Sequence, residues 1–517
     1  MNDQPKQHRL LVLIGFGVLN TIAGYIIFRI FTVAFAYDQP TSFIERTVVV
    51  IFFIGEFFIL AHAANYFTDI MIALWRYRRW PIVYGKGRQA QPFVRIGIPV
   101  RDEPILILRR TLMACRLLDY PNVEITVVDN SSTKKITAAI RALCKEQGVT
   151  HFLVPFPRHG AKAGALNEFI KKTRARFIAV FDADFSPSRD FLKLTVPLLI
   201  EDQKIAFVQT PQFYSNLVSS VVSRASQVQQ SIFYEHICEA KSIRNAMFMC
   251  GTNIVIRTKA LRSIRGFREG SVTEDFDTSF ALMSKGWHSR FYNYTTAFGY
   301  GPPSVLDYMR QQYRWARGTL GVFLEQAPSL WSPKNRLSFG QRIEYTMSGS
   351  YYFIGFAWLI LIIMPLLYIF SSIPAYFTPA FLYVVVYLPY LLFSMGFFFY
   401  GFVSRRYFFR DWLIAQSLTM LAIPVYMRAS IDAVLGRRAV FQVTGKEKSE
   451  NKIPWRALKA QIIMLAAHAA AIGYGLYRII NQPFDNSLVI SFFWALVHFI
   501  ILSSFFIAAY VETRRRA

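Results

Sequence analysis

Four short stretches carry side chains whose types and spacing suit chemistry. In "FDAD", residues 181–184, Asp182 and Asp184 lie two apart behind an apolar run. On an extended segment residues two apart share a side, so both carboxylates can face one divalent cation. Mg2+ and Mn2+ favour carboxylate oxygens and bind through one or two of them plus substrate phosphates. The same residues also suit a plain acidic turn after a buried strand. In "SVTEDFD", 271–277, Glu274 and Asp275 precede the helix-like "TSFALMSKG". A carboxylate there suits a general base toward a hydroxyl, or merely a helix cap. "QQYRW", 311–315, offers the Arg314 guanidinium fork for phosphate, a flat Trp315 face for a sugar ring and the Gln311 amide for hydroxyls. These three also lie on one helix face, as in an ordinary amphipathic stripe. "FQVTGK", 441–446, sets Thr444 and Lys446 in a polar loop between apolar runs, which reads either as a ligand-binding loop or as a basic interfacial one.

The elements that must hold these groups follow from periodicity. "VRIGIPVRDEP" (94–104), "VEITVVDNSS" (123–132) and "ARFIAVFDADFSPS" (175–188) each read as a strand ending in charged or turn-forming residues, with helical stretches at 105–118 and 134–146 between them. Such alternation predicts an α/β domain with a mixed, mostly parallel, doubly wound sheet. Ligands bind outside the carboxyl ends of such strands, where Asp129, Asp182 and Asp184 fall.

Around this domain the 517-residue chain is 53% hydrophobic and 16% aromatic, unevenly distributed, which reads as a membrane protein carrying a soluble domain. About 20 apolar residues span a bilayer. Runs at 10–36, 47–75, 354–370, 381–402, 462–476 and 488–511 predict about six spanning helices. The first run is long and carries Arg29 rather than a small-residue cleavage site toward its end, so it reads as a span and not a signal peptide. Lys and Arg gather in "RYRRW" (76–80), "SRRYFFR" (404–410) and "RRR" (514–516), while the short loops 37–46, 371–380 and 480–487 are poor in them. The positive-inside rule then places both termini and the soluble domain in the cytoplasm, in a plasma or inner membrane. The run 412–435 carries Pro424, Arg428 and Asp432, costly at bilayer depth. It is expected to lie as one amphipathic helix in the cytoplasmic interface, which keeps "FQVTGK" on the side of the soluble domain. The expected organisation is two helices over 1–75, the soluble domain with interface helices over 76–345, two helices over 346–405, the interface helix and loop over 406–455, and two helices over 456–517.

The net charge of +26 fits Lys and Arg beside anionic headgroups. No reader motif accompanies it, so nucleic acid is not an expected partner, although a basic face attracts an anionic nucleotide. Cys115, Cys144, Cys238 and Cys250 form no CxxC pair and read as reduced thiols.

Taken in order, Asp129, "DAD", "TED" and "QQYRW" resemble the D, DxD, TED, QxxRW signature of processive family 2 glycosyltransferases, which are membrane β-glycan synthases with a GT-A domain. "AKAGALN" (161–167) resembles the family's HAKAGNLN segment, "VQTPQFY" (208–214) and "CGTNIVIR" (250–257) are similar to bacterial cellulose synthase, and "FQVTGK" resembles its FxVTxK gating motif. The match covers roughly 90–450.

The resemblance implies roles. Asp275 is the base that deprotonates the acceptor hydroxyl. Asp129 contacts the nucleotide base. Asp182 and Asp184 place a Mg2+- (or Mn2+-) bound diphosphate, with Asp184 the more direct ligand. Lys162, Glu103, Gln311 and Arg314 belong to the donor site. Trp315, Cys250, Gly251 and Glu274 belong to the acceptor side. Phe441 and Val443 anchor a gating loop whose Thr444 and Lys446 reach the diphosphate. The implied reaction is one inverting displacement on a nucleotide sugar, UDP-glucose first, extending a β-1,4- or β-1,3-glucan that crosses the membrane through the protein's own helices. Other donors, UDP-GlcNAc or a GDP-sugar, and non-processive transfer to a lipid carrier are the alternatives. Expected partners are the nucleotide sugar, the growing polysaccharide, the bilayer and periplasmic accessory subunits. Two departures stand out: Asn130 replaces a second Asp, and Arg101–Asp102 replaces a tyrosine–asparagine pair. The family's C-terminal cyclic-di-GMP-sensing barrel is not expected here.

Overall fold

The computed structural model describes residues 4–38, 41–75, 91–218, 220–375, 380–403, 408–437 and 455–516. Strand β1 (Val94–Val100) is apolar at nearly every position, which suits a strand covered on both faces, and all of it but Arg95 is buried. The other strands are β2 (Val123–Asp129), β3 (Thr150–Leu153), β4 (Phe177–Val180), β5 (Ser186–Pro187), β6 (Ile205–Gln209), β7 (Phe213–Tyr214), β8 (Ile254–Arg257), β9 (His288–Phe291) and β10 (Ala297–Gly299). Seven form one sheet in the order β3-β2-β1-β4-β8-β6-β9, and β5-β10-β7 form a small second sheet. In the large sheet β8 alone runs against its neighbours β4 and β6; every other pairing is parallel.

Strand side chains alternate between faces, and two cores follow. Phe177, Ala179 and Phe181 join Leu108, Leu112, Ile140, Leu143 and Phe191 on one face. Ile178 and Val180 join Leu166, Phe169, Phe276 and Phe280 on the other. Helices Ile105–Arg116, Lys134–Gln147 and Phe191–Glu201 thus cover one side, and Ala161–Lys172 with Glu274–Ser284 the other. Thr133 caps the second of these by accepting from the Ile136 N–H, and Gly148 ends it in the left-handed region at φ 64°.

Among the described residues five helical stretches are long and apolar enough to cross a membrane: Val12–Ala34, Phe43–Ala73, Phe339–Ser371, Lys459–Asn481 and Asn486–Tyr510. Helix Ala380–Val403 contains a shorter apolar stretch, Phe381–Gly396. Inside the bundle Arg29 and Glu56 pair at 2.6 Å with both side chains buried. The expected boundary at 345 falls inside helix Phe339–Ser350. That helix continues through a 3-10 turn, Tyr351–Phe353, into Ile354–Ser371, so the domain enters the bundle without a loop. The single helix expected over 412–435 is two, Phe409–Leu421 and Ile423–Val434, broken where Pro424 enters the second. Each is far shorter than a span, and both bury residues against the helices around them.

Candidate active site

The "DAD" segment is not extended. The Phe185 N–H donates to the Asp182 carbonyl at 3.0 Å, closing a tight turn just past β4. The alternation survives: Phe181, Ala183 and Phe185 are buried, while Asp182 and Asp184 are partly exposed. The turn is held from below by the Thr111 hydroxyl, which donates to the Ala183 carbonyl at 2.7 Å. The Asp182 N–H donates to the Thr252 hydroxyl at 2.9 Å. Among the described residues no three His, Cys, Asp or Glu groups gather around one point. Two carboxylates on one turn fit a divalent ion only when a ligand's oxygens complete its shell, the pattern usual for Mg2+ at phosphates.

The antiparallel strand supplies the second side. Because β8 runs against β4 and β6, with Ile254 paired to both Val180 and Gln209, its N-terminal approach "CGTN" lies at the carboxyl edge beside Asp182. Gln209 fixes this approach: its amide nitrogen donates to the Thr252 carbonyl at 2.8 Å and its oxygen accepts from the Cys250 N–H at 2.9 Å. Gln212 donates to the Cys250 carbonyl at 2.6 Å. Lys162, in the first turn of Ala161–Lys172, reaches across and donates to Asp182 Oδ1 at 2.5 Å and to the Gly251 carbonyl at 2.8 Å.

Asp275 completes the group. Its Oδ1 accepts from the Phe276 N–H at 2.8 Å. Its Oδ2 lies where a Cβ on Gly251 would come within 3.2 Å, and that Cβ would stand 3.6 Å from Lys162 Nζ. Gly251 adopts φ 84°, so the backbone approaches both groups where an L side chain would be strained and in the way. Burial first, and the neighbouring Glu274 carboxylate second, push the Asp275 carboxyl up to about 7, against smaller opposing effects of the Phe276 N–H, Lys162 and Arg314. Burial also raises Glu274, opposed by Lys162. For Lys162 burial works downward, but Asp182 and Glu274 outweigh it and its ammonium is held above the ordinary range. Burial and then Asp275 raise the Cys250 thiol.

"QQYRW" lies in helix Val305–Leu330, started by Ser304, whose hydroxyl accepts from the Asp307 N–H. Gly318 shares a face with Gln311, Arg314 and Trp315 by the i, i+3, i+4, i+7 rule. A Cβ there would meet Thr273 at 2.5 Å and Val272 at 2.9 Å, so this face lies tightly against the "TED" turn. Arg314 acts on Glu274, Asp275 and Tyr214, and Tyr214 pairs with Gln311 beside Asp184. Trp315 sits half-buried on the same face.

Not every expected residue faces this group. Asp129 is fully buried: its Oδ1 accepts from the Ser131 N–H and its Oδ2 pairs with His151 Nε2, both at 2.9 Å. Its carboxylate is turned to the loop after β2 and to β3, because a charge with no exposed surface needs internal partners; direct contact with a nucleotide base does not follow from this position. Glu103 accepts from the Arg101 N–H in its own turn. Beside it Asp102, at φ 63°, accepts from the Ser132 N–H at 2.8 Å. Phe441, Val443, Thr444 and Lys446 lie outside the described residues. Sequence reasoning overlooked Thr252, Gln209, Gln212 and His151 as supports. The one signal for Gln209 was a polar amide closing an otherwise apolar strand.

The family model "Glycosyl transferase family group 2" matches residues 177–401. The cellulose synthase catalytic subunit [UDP-forming] of Pseudomonas fluorescens is 28% identical over 450 residues, 83% of this chain and 58% of that protein. The cellulose synthase 1 catalytic subunit [UDP-forming] of Komagataeibacter xylinus is 28% identical over 441 residues, 82% of this chain and 57% of that protein. The chain thus spans somewhat over half the length of these relatives. A mannosyltransferase from Pyrobaculum calidifontis, solved with GDP-Man and Mn2+, superposes with TM-score 0.51 at 16% identity, covering 75% of this chain and 99% of that one, which establishes the GT-A fold. Motif order, relatives and fold agree: the chain has a GT-A glycosyltransferase fold and is similar to the catalytic subunits of bacterial cellulose synthases.

Proposed function

We propose that the chain is a processive, inverting membrane glycosyltransferase that polymerises a nucleotide sugar, UDP-glucose first, into a β-glucan and passes it through its own helices. The observation that carries this reading is the cluster in which Lys162 bonds both Asp182 and Gly251 while Gly251 admits Asp275. A proton acceptor and a diphosphate-side carboxylate meet at one backbone approach. The two UDP-forming relatives support the donor class.

In this reading Arg314 and Gln311 hold the donor diphosphate, the planar guanidinium matching paired phosphate oxygens. Lys162, already cationic beside Asp182, adds positive charge where the leaving diphosphate gathers negative charge. Asp182 and Asp184 hold a divalent ion, Mg2+ or Mn2+, which neutralises that charge when bound; the Mn2+ of the mannosyltransferase neighbour supports this class of cofactor. Asp275 takes the proton of the acceptor hydroxyl, whose oxygen attacks the anomeric carbon from the face opposite the diphosphate. One displacement converts an α-linked donor to a β-linked product. Trp315 stacks the acceptor ring, Cys250, Gly251 and Glu274 border it, and Glu103 and Asp129 shape the nucleotide side through their loops. Thr444 and Lys446 of the "FQVTGK" stretch close on the diphosphate, with Phe441 and Val443 as anchors. The catalytic domain and both termini face the cytoplasm of a plasma or inner membrane.

The full chain, purified in detergent and reconstituted in vesicles, is to be given radiolabelled UDP-glucose, UDP-GlcNAc or GDP-mannose with Mg2+ or Mn2+. High-molecular-weight product from UDP-glucose, cut by a β-1,4- or a β-1,3-specific glucanase, is the expected result. Transfer of single sugars to lipid, or no transfer from any of the three donors, refutes the proposal.

A further inference from the structure

Helix Val305–Leu330 has two working faces. Gln311, Arg314, Trp315 and Gly318 point toward the "TED" turn. Gln312, Tyr313 and Arg317 point away from it, and each is bonded to the helix Ile423–Val434 or its end. The Tyr426 hydroxyl donates to Gln312 Oε1 at 2.8 Å. The Tyr313 hydroxyl donates to Asp432 Oδ2 at 2.6 Å. Arg317 donates to the Arg437 carbonyl. Asp432 is the hub of this arrangement. It is 5% exposed, its second oxygen accepts from Arg437 at 2.8 Å, and Arg428 lies 3.8 Å away with its guanidinium 5.6 Å above the Tyr313 ring. The Tyr313 bond, more than the arginines, holds its carboxyl below the ordinary range.

An apolar interface alone would not require this. The same pair of helices already packs through Tyr308, Ala316, Tyr426 and Ala429, and apolar contact is non-directional. A helix packed only through such contacts can rotate or slide by a fraction of an ångström at little cost. Hydrogen bonds from three positions within six residues fix both its rotation and its axial register, and a charged acceptor makes the bond from Tyr313 the strongest of them. Arg314 follows Tyr313 directly, so a rotation about the helix axis that frees Tyr313 also swings the Arg314 fork away from Glu274 and Asp275.

From this we infer that Asp432 is a positioning residue for the donor site, acting through Tyr313 to hold Arg314 and Gln311 in register. The inference rests on the reading of Arg314 and Gln311 as diphosphate-binding groups. Asp432 itself touches no donor atom. Its effect is therefore on how well a nucleotide is held, and less on the proton transfer at Asp275.

The test uses the full reconstituted chain with Asp432→Ala, Tyr313→Phe and both together. Tyr313→Phe removes one hydroxyl and keeps the ring, so it preserves the fold. Three readouts are needed: the KM for UDP-glucose against kcat, the Kd for UDP, and amide hydrogen exchange across 305–330. Each single change is expected to raise KM and Kd about tenfold, the scale of one charge-assisted hydrogen bond, with kcat within about twofold. The double change should do no more than either single one, because both remove the same bond. Exchange across 305–330 should quicken in all three variants. KM and Kd within twofold of the parent, or effects that multiply in the double variant, overturn the inference. If the parent turns over no nucleotide sugar, the proposed function fails by itself. Exchange then still decides the positioning role of Asp432, since unchanged protection in Tyr313→Phe overturns it.

Discussion

The sharpest prediction concerns the protonation of Asp275. Its carboxyl is pushed from an ordinary 3.8 up to about 7 by burial first and by the Glu274 charge second. Each unit of such a shift represents about 1.4 kcal/mol of preference for the neutral form. If this carboxylate must be ionised to accept the acceptor proton, kcat/KM falls as pH drops through about 7. One unit lower, only about a tenth of the molecules carry the working base. Because Glu274 is the second cause, Glu274→Gln should move the acid limb to lower pH by about one unit, the scale of one nearby like charge. The limb belongs to the pair, so it is read as an apparent value. Asp275→Asn should lower turnover by about 10²–10⁴-fold at all pH. Stability moves the other way. The folded pKa lies above the unfolded one, so the native state keeps this proton over a range where the unfolded chain has lost it. The destabilising effect of the charge therefore grows as pH rises from 3.8 to about 7 and is constant above. Asp275→Asn should raise the melting midpoint at pH 8 and change it little at pH 4. The assay is initial-rate incorporation of radiolabelled UDP-glucose between pH 5 and 9, with melting followed on the same preparations. A rate that does not fall between pH 7 and pH 5, no displacement of the limb in Glu274→Gln, or more than a tenth of parental turnover in Asp275→Asn refutes the base assignment.

Gly251→Ala should lose about tenfold or more in kcat, because the backbone sits at φ 84° and the new Cβ comes 3.2 Å from Asp275 Oδ2; parental kcat in a folded variant counts against the close approach. Asp184→Asn should raise the Mn2+ or Mg2+ concentration needed for half-maximal rate, read by metal titration after chelation, and an unaltered requirement removes Asp184 from the metal site. Arg314→Lys keeps the charge but loses the paired donors, so KM for UDP-glucose should rise about tenfold or more while the fold is intact; a KM within twofold of the parent refutes fork-like binding of the diphosphate.

Much of the site was legible in the chain because its parts are local patterns. The apolar alternation before Asp182 marked β4 and the edge at which the aspartates stand. The spacing of Gln311, Arg314 and Trp315 put them on one helix face, and Gly318 extends that face against Thr273. The residues that hold the site were not legible. Gln209 and Thr252 become supports only because an antiparallel strand carries "CGTN" back to the carboxyl edge, and strand direction is a long-range property. Asp129 was visible as an acidic residue ending a strand. Its complete burial against His151 depends on β3 lying alongside β2, which periodicity does not encode.

Sequence alone determined the identity and order of the candidate reactive groups, the apolar segments long enough to cross a bilayer, and the strand ends where carboxylates collect. These depend on side-chain type and on periods of two or 3.6 residues, which the linear chain carries in full. Tertiary structure decided that Lys162 answers Asp182, that the Asp275 carboxyl is pushed up to about 7, and that Tyr313 turns its back on the site to meet Asp432. Those outcomes are set by desolvation and by contacts between segments as far as 119 residues apart, which exist only once the chain has folded.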